Sequence, residues 1–204
     1  MKRAFIAWCT ALLFFPAAGL AQGRQYTELP AALPTESGGR IEVLEFFWYG
    51  CIHCYNLEPP LAEWLKKLPA DVQFRRVPAI FNERWAHDAA IFYAFEAMGV
   101  LDKLHRPFFD AIHRDRLRSE NGAAMSEWLQ KHGVNSQKFN DTLKSFGVQS
   151  KVRRAAMLTA AYKIDGTPAM AVQGRYTVSA EQGRTQEGML RSVSSLIELA
   201  RKGK

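Results

Sequence analysis

Ile41-Glu42-Val43-Leu44-Glu45-Phe46-Phe47-Trp48-Tyr49-Gly50-Cys51-Ile52-His53-Cys54 decides the fold. The first seven residues are a dense β-branched and aromatic run, which reads as a buried central strand. Beyond Gly50 and the cysteine pair, apolar residues recur at Leu57, Leu61, Trp64, Leu65 and Leu68, the spacing of one helix face, and Pro69 closes the run. Val72-Gln73-Phe74-Arg75-Arg76-Val77 then alternates like a second strand. Strand, helix and strand within residues 41–77 make a βαβ unit, and such a crossover joins parallel strands.

Upstream, Lys2 and Arg3 precede an apolar run from Ala4 to Phe15, and Pro16 ends it. Gly19-Leu20-Ala21 puts small residues at a cleavage site, so residues 1–21 read as a secretory signal peptide. A membrane-spanning helix needs about 20 apolar residues, more than this stretch holds. Residues 22–40 are a polar leader with Pro30, Pro34 and Gly38-Gly39 and room for a short strand.

Downstream, residues 83–148 read as almost wholly helical. Ile91, Phe95 and Met98 share a face that ends at Gly99. Leu101–Arg114, Ala123–His132 (closed by Gly133) and Ser136–Ser145 (capped by Asn135 or Ser136) follow. A long helix is expected from about Gln149 to Lys163. Ala169–Val172 and Tyr176–Val178 flank Gln173-Gly174-Arg175 as a β-hairpin, and Gln186–Arg201 is amphipathic. The expected fold is α/β, a small mixed sheet flanked by helices. An all-helical subdomain, 83–148, is inserted between 22–82 and 149–204.

Composition narrows the function. The chain has 204 residues, 48% hydrophobic and 23% charged, as in ordinary globular proteins. Its 27 basic and 20 acidic side chains give +7, which falls to +5 when Lys2 and Arg3 leave with the signal. The excess is spread over helices, as at Arg114, Arg116 and Arg118, with no nucleic-acid motif. Of three cysteines, Cys9 also leaves with the signal. An exported chain of 183 residues then keeps only Cys51 and Cys54, in a compartment that permits disulfides.

Cys51 falls where a helix begins. Unpaired backbone N–H groups and the helix dipole stabilise an anion there, so its thiol pKa should be depressed. His53 can add charge or a hydrogen bond to the same sulfur. Cys54 lies one turn in, beneath the first sulfur. The pair suits a reversible disulfide. A structural bridge between near neighbours closes almost no loop and stabilises little. A zinc site needs more ligands than one such pair supplies, and Tyr55 stands where a c-type haem motif needs histidine.

The string Glu45–Glu58 resembles the DsbA family of bacterial periplasmic thiol–disulfide oxidoreductases, which combine a thioredoxin fold with an inserted helical domain. The resemblance spans essentially the whole mature chain. It implies that Cys51 is the exposed attacking cysteine and Cys54 the buried resolving one. Gly166-Thr167-Pro168-Ala169-Met170 matches the family's cis-proline loop. That loop lies against the cysteines, with the residue before the proline, here Thr167, touching the sulfurs. Beside a cis Pro168, backbone groups can pair with an extended substrate. Glu45, a carboxylate among large apolar residues, should have a raised pKa and move a proton to or from Cys54. The stretch aligned with the family's partner for that acid reads Phe74-Arg75-Arg76-Val77, so the partner of Glu45 is left open. Trp48, Tyr49 and Met170 are candidates for the floor of an apolar substrate groove, with core packing as their other reading. Glu58, His87, His105, His113 and His132 read as helix-surface residues.

The function implied is an exported oxidase that passes the Cys51–Cys54 disulfide to unfolded or reduced exported proteins. It would act as a monomer in the periplasm and be reoxidised by a DsbB-like membrane partner. No metal, organic cofactor or nucleic acid is implied. Two alternatives stand beside it: a reductase or isomerase working in the opposite direction, and a chaperone-like peptide-binding protein whose cysteines are incidental. Only 19 residues separate the cleavage site from the first strand, too few for an isomerase's dimerisation domain.

Overall fold

The computed structural model describes residues 25–203; the expected signal peptide, 1–21, lies outside them. Five strands form one mixed sheet in the order β1-β5-β4-β2-β3. They are β1 (Thr27–Glu28), β2 (Ile41–Phe47), β3 (Val72–Pro78), β4 (Ala169–Val172) and β5 (Tyr176–Ser179). β2 and β3 are parallel, joined by α1 (Ile52–Leu65), and the other pairs are antiparallel. The βαβ unit and the hairpin therefore stand as expected.

β2 is buried at every position, because both its faces are covered. Ile41 and Val43 pack with Leu57 and Leu61 of α1 and with Val193 of α8 (Gln186–Lys202). Leu44 and Phe46 belong to the core shared with the helical layer. That alternation puts Glu45 on the face that carries Val43. The register sets Arg76 of β3 opposite Glu45 on one side and Met170 of β4 on the other.

The helical layer comprises α2 (Glu83–Ala97), α3 (Leu101–His113), α4 (Gly122–Lys131), α5 (Ser136–Leu143) and α6 (Phe146–Ala161). Its seam with the sheet is aromatic: Phe47 meets Phe92 at 5.3 Å and Phe109 at 5.9 Å between ring centroids. Asn82, Asn121 and Asn135 cap α2, α4 and α5, each accepting a backbone N–H in the first turn. α6 begins three residues ahead of the expected Gln149, because Ser145 accepts the Val148 N–H and starts the helix there. The expected boundary between residues 148 and 149 therefore falls inside α6. A one-turn helix, α7 (Ala180–Gly183), was not expected; a capping box formed by Ser179 and Gln182 makes it.

Two prolines shape α1. Pro59 and Pro60 sit inside α1, where neither can donate the backbone bond its position calls for. The Tyr55 carbonyl, which Pro59 cannot reach with an N–H, accepts instead from Arg106 Nη1 of α3 at 3.2 Å. The same guanidinium lies 4.3 Å from the Tyr55 ring centroid and bonds Asp110. Asp110 also accepts the Tyr55 hydroxyl at 2.8 Å. In this way α3 grips the first turns of α1 at three points.

The core is steeply graded, so truncations should be too. Phe108 is fully buried and Phe146 is 82% exposed. Phe108→Ala is expected to cost about 3–5 kcal/mol, and Phe146→Ala within about 0.5 kcal/mol of nothing. Urea unfolding of the two variants checks both values.

Candidate active site

Cys51 is the N-cap of α1, with extended backbone at φ −86° and ψ 113°. Its sulfur accepts the Cys54 N–H at 3.3 Å, one of the donors a helix start leaves unpaired. No acidic residue occupies the first turn, so the helix dipole acts on the sulfur unopposed. The surroundings of the sulfur bring the Cys51 thiol down from 9.0 to about 5. The largest cause is a hydrogen bond from the Cys54 side chain. The Thr167 side chain and the N–H groups of Cys54 and His53 also lower it, against partial burial. His53 is solvent-exposed and helps through its backbone rather than through its ring.

Cys54 is wholly buried. Burial, and then the neighbouring Cys51, push its thiol well above the ordinary value. The two sulfurs are therefore unlike in both exposure and acidity. Both are free thiols.

The loop before β4 closes over this pair. The Thr167–Pro168 peptide bond is cis, and the Thr167 carbonyl accepts the Cys51 thiol at 3.3 Å. Pro168 is buried between two clefts that both touch it. One, of about 650 Å3, runs past Leu29, Tyr162, Thr167 and Gln182. The other, of about 470 Å3, is lined by His53, Leu57, Arg184 and Met189.

The proposed groove floor needs correction. Tyr49 is 1% exposed and Met170 not at all, so neither presents a surface to a bound chain. Tyr49 instead packs edge-on against Phe108 at 4.7 Å, and Met170 lies in the core under the sheet. Trp48 is half-buried. It stacks on Trp85 at 4.3 Å, and its Nε1 donates to Asp88 at 2.7 Å. A side chain at Gly50 would collide with the Trp48 ring, so glycine there lets the ring fold back over the loop.

Beneath the cysteines lies a buried charged cluster. Glu45 has no exposed surface. Burial, the largest influence, raises its carboxyl from 4.5 to about 8; Arg76 opposes the rise, and Glu58 and Cys51 add to it. Arg76 Nε is 3.1 Å from Glu45 Oε2, yet the N–H is not aligned on it, and neither Glu45 oxygen accepts a hydrogen bond. The same arginine's Nη2 donates to both oxygens of Glu58, at 3.1 and 3.2 Å. Arg76 is thus the partner that the sequence left open.

Glu58 and His105 both depart from the surface reading. Glu58 is 7% and His105 6% exposed. His105 Nε2 lies 3.3 Å from Glu58 Oε1. Burial works against the Glu58 charge, but His105 and Arg76 together hold its carboxyl below the usual range. The signal was in the spacing: Cys54, Leu57, Glu58 and Leu61 form one face of α1, and Leu104, His105, Phe108 and Phe109 one face of α3. His87, His113 and His132 are half-buried as well. Their rings bond the backbone carbonyls of Ser119, Tyr49 and Trp128.

Comparison with known proteins agrees with this architecture. The family model of the DSBA-like thioredoxin domain matches residues 42–190. A thiol:disulfide interchange protein DsbA of Azotobacter vinelandii is 44% identical over 179 residues, 88% of this chain and 84% of that protein. The DsbA of Pseudomonas aeruginosa is 38% identical over 88% of this chain and 85% of its own length. Its crystal structure superposes with a TM-score of 0.83 at 37% identity, covering 88% of this chain and 94% of that one. The oxidoreductase DsbA of Xylella fastidiosa follows at 0.80 and 30%, covering 87% and 95%. On its sequence, and on a fold that carries the cysteine pair at the start of α1, this chain belongs to the DsbA family of thioredoxin-fold oxidoreductases.

Proposed function

We propose that this protein donates disulfide bonds to reduced or unfolded exported proteins through Cys51 and Cys54. The observation that carries the reading is the inequality of the two sulfurs. Cys51 is half-exposed at the N-cap of α1 with the Cys54 N–H on its sulfur, and Cys54 is wholly buried, surroundings that lower the first thiol's pKa and raise the second's.

In the oxidised protein a substrate thiolate attacks Cys51, the sulfur it can reach. The Cys51–Cys54 bond breaks and its electron pair leaves on Cys54. Cys54 is buried and does not hold a charge well, so it takes up a proton. Glu45 lies close enough for each to feel the other's charge, and at about 8 its carboxyl still holds a proton at neutral pH. A second substrate thiolate then attacks the substrate sulfur of the mixed disulfide and releases Cys51. Because Cys51 is stable as a thiolate, it leaves readily. The substrate has lost two electrons and gained a disulfide, and the protein is left as a dithiol. Thr167 and Pro168, beside the sulfur, are the groups that would position an extended substrate, and His53 stands on the same rim.

Relatives of this family are periplasmic. An N-terminal signal at 1–21, with Cys9 inside it, fits export to that compartment. A DsbB-like membrane protein would take the electrons from the reduced pair, and the chain would act as a monomer. The helical insertion 83–148 would serve as a second domain on the thioredoxin-like frame of 22–82 and 149–204.

Rapid alkylation of the reduced protein with iodoacetamide should show a Cys51 midpoint near pH 5, and a midpoint near an ordinary thiol would sink the oxidase reading. Cys51→Ala should abolish disulfide transfer to a reduced test protein and with it the protein's biological activity; full biological activity in that variant would favour the peptide-binding reading. Stability should also depend on redox state. Between about pH 5 and 9 the reduced folded chain holds Cys51 as a thiolate, whereas the unfolded chain holds a thiol. The folded form therefore binds fewer protons, and its stability rises with pH across that window. This gain is lost as pH falls through about 5. The oxidised form has no such thiol. Denaturant midpoints should accordingly favour the reduced protein at pH 7, by a margin that shrinks toward pH 5.

A further inference from the structure

One buried titratable group is not used by the exchange chemistry. His105 is buried on α3, in the helical layer, yet its ring reaches the cluster under the cysteines. The Tyr49 hydroxyl is 2.9 Å from its Nδ1, and Glu58 Oε1 is 3.3 Å from its Nε2. A carboxylate can only accept, so Nε2 carries the hydrogen that Glu58 receives. Nδ1 of a neutral ring is then free to accept from Tyr49. Burial, the main influence on this ring, disfavours its charged form, which agrees with the same tautomer.

The chain of contacts continues from Glu58 to Arg76 and ends beside Glu45. One guanidinium thus faces two buried carboxyls, through Nη2 toward Glu58 and Nε toward Glu45, and serves them unequally. It donates to both oxygens of Glu58, whereas its Nε, 3.1 Å from Glu45 Oε2, is poorly aligned on that oxygen, so that Glu45 is the less well supported of the two. A poorly supported buried carboxyl is most stable protonated.

We propose that His105 is a positioning residue for the exchange reaction: by bridging Tyr49 and Glu58 it fixes Glu58 as the ionised partner of Arg76 and leaves Glu45 as the proton-carrying carboxyl beneath the cysteines. The inference rests on the oxidase reading only in giving that proton a use; the division of charge stands on the contacts themselves. The charged and titratable groups around Glu45 are Arg76 from β3, Glu58 from α1, and Cys51 and Cys54 at the start of α1. Around His105 they are Glu58, Arg76, Arg106 and Tyr49.

The test is a carboxyl-carbon NMR titration of Glu45 in the reduced full-length protein, with His105 followed through its ring nitrogens. In the unmutated protein His105 should be the neutral Nε2–H tautomer from pH 6 to 8, and Glu45 should titrate near 8. An imidazolium, or the Nδ1–H tautomer, overturns the proposal without any variant. His105→Leu removes the donor to Glu58, so Arg76 should turn toward Glu45 and lower its midpoint by about one pH unit or more. His105→Asn, which is too short to reach Glu58, should act alike and decides the matter if the leucine variant does not fold. His105→Gln, which keeps an N–H where Nε2 lies, should restore a midpoint near 8. A Glu45 midpoint that stays put in the leucine or asparagine variant overturns the proposal. Failure of the oxidase reading would show elsewhere, as disulfide transfer that survives Cys51→Ala, with the carboxyl titrations unchanged.

Discussion

A thiolate can persist at neutral pH only where donors converge on it, and here they are the side chains of Cys54 and Thr167 together with N–H groups that a helix leaves unpaired at its first turn. Cys51 is held at the N-cap of α1, with the Cys54 N–H on its sulfur. Much else in the molecule serves that placement. β2 must be rigid and fully buried to aim the loop, so it is covered on both faces. Gly50 must lack a side chain so that Trp48 can fold against Trp85. The loop before β4 must bring Thr167 up to the sulfur from the other side, where its side chain favours the thiolate and its carbonyl accepts from the thiol.

The second constraint is electrostatic. A charge on one sulfur is useful only if the other gives its charge up, and a fully buried Cys54 does so for want of solvation. The cluster below continues the same principle. Of two buried carboxyls, Glu58 has aligned donors, whereas Glu45 has only the poorly aligned Nε of Arg76. Their unlike behaviour arises from hydrogen-bond alignment rather than from depth alone, since both are almost fully buried.

The parts of this arrangement that are local in sequence were legible. The βαβ unit, the hairpin and the Gly99 helix end all follow from periodicity and backbone chemistry, and each is where the residues put it. The direction of the Cys51 shift follows from its place before a helix, while the contribution of Thr167 comes from far along the chain. What was illegible was long-range. Arg75 and Arg76 are adjacent, and only the register of β3 against β2 says which of them faces Glu45. His105 meets Glu58 across 47 positions of sequence, so periodicity puts it on a buried face without naming its partner. Tyr49 and Met170 were misplaced for a related reason: nearness to the cysteines in sequence or in the sheet does not mean sharing their solvent-facing side.

Pro59 and Pro60 give the molecule a mechanical division that its covalent order does not suggest. Two consecutive rungs are missing from the ladder of α1, and a guanidinium from α3 fills one of the gaps. The turns bearing both cysteines are thereby coupled sideways, to α3 through Arg106 and Asp110, as well as lengthwise to the rest of their own helix. A displacement of α3 would therefore act on the first turns of α1 directly, through that clasp, as well as through the aromatic seam with the sheet. In this sense the first turns of α1 are a shared part, threaded through one unit and fastened to the other.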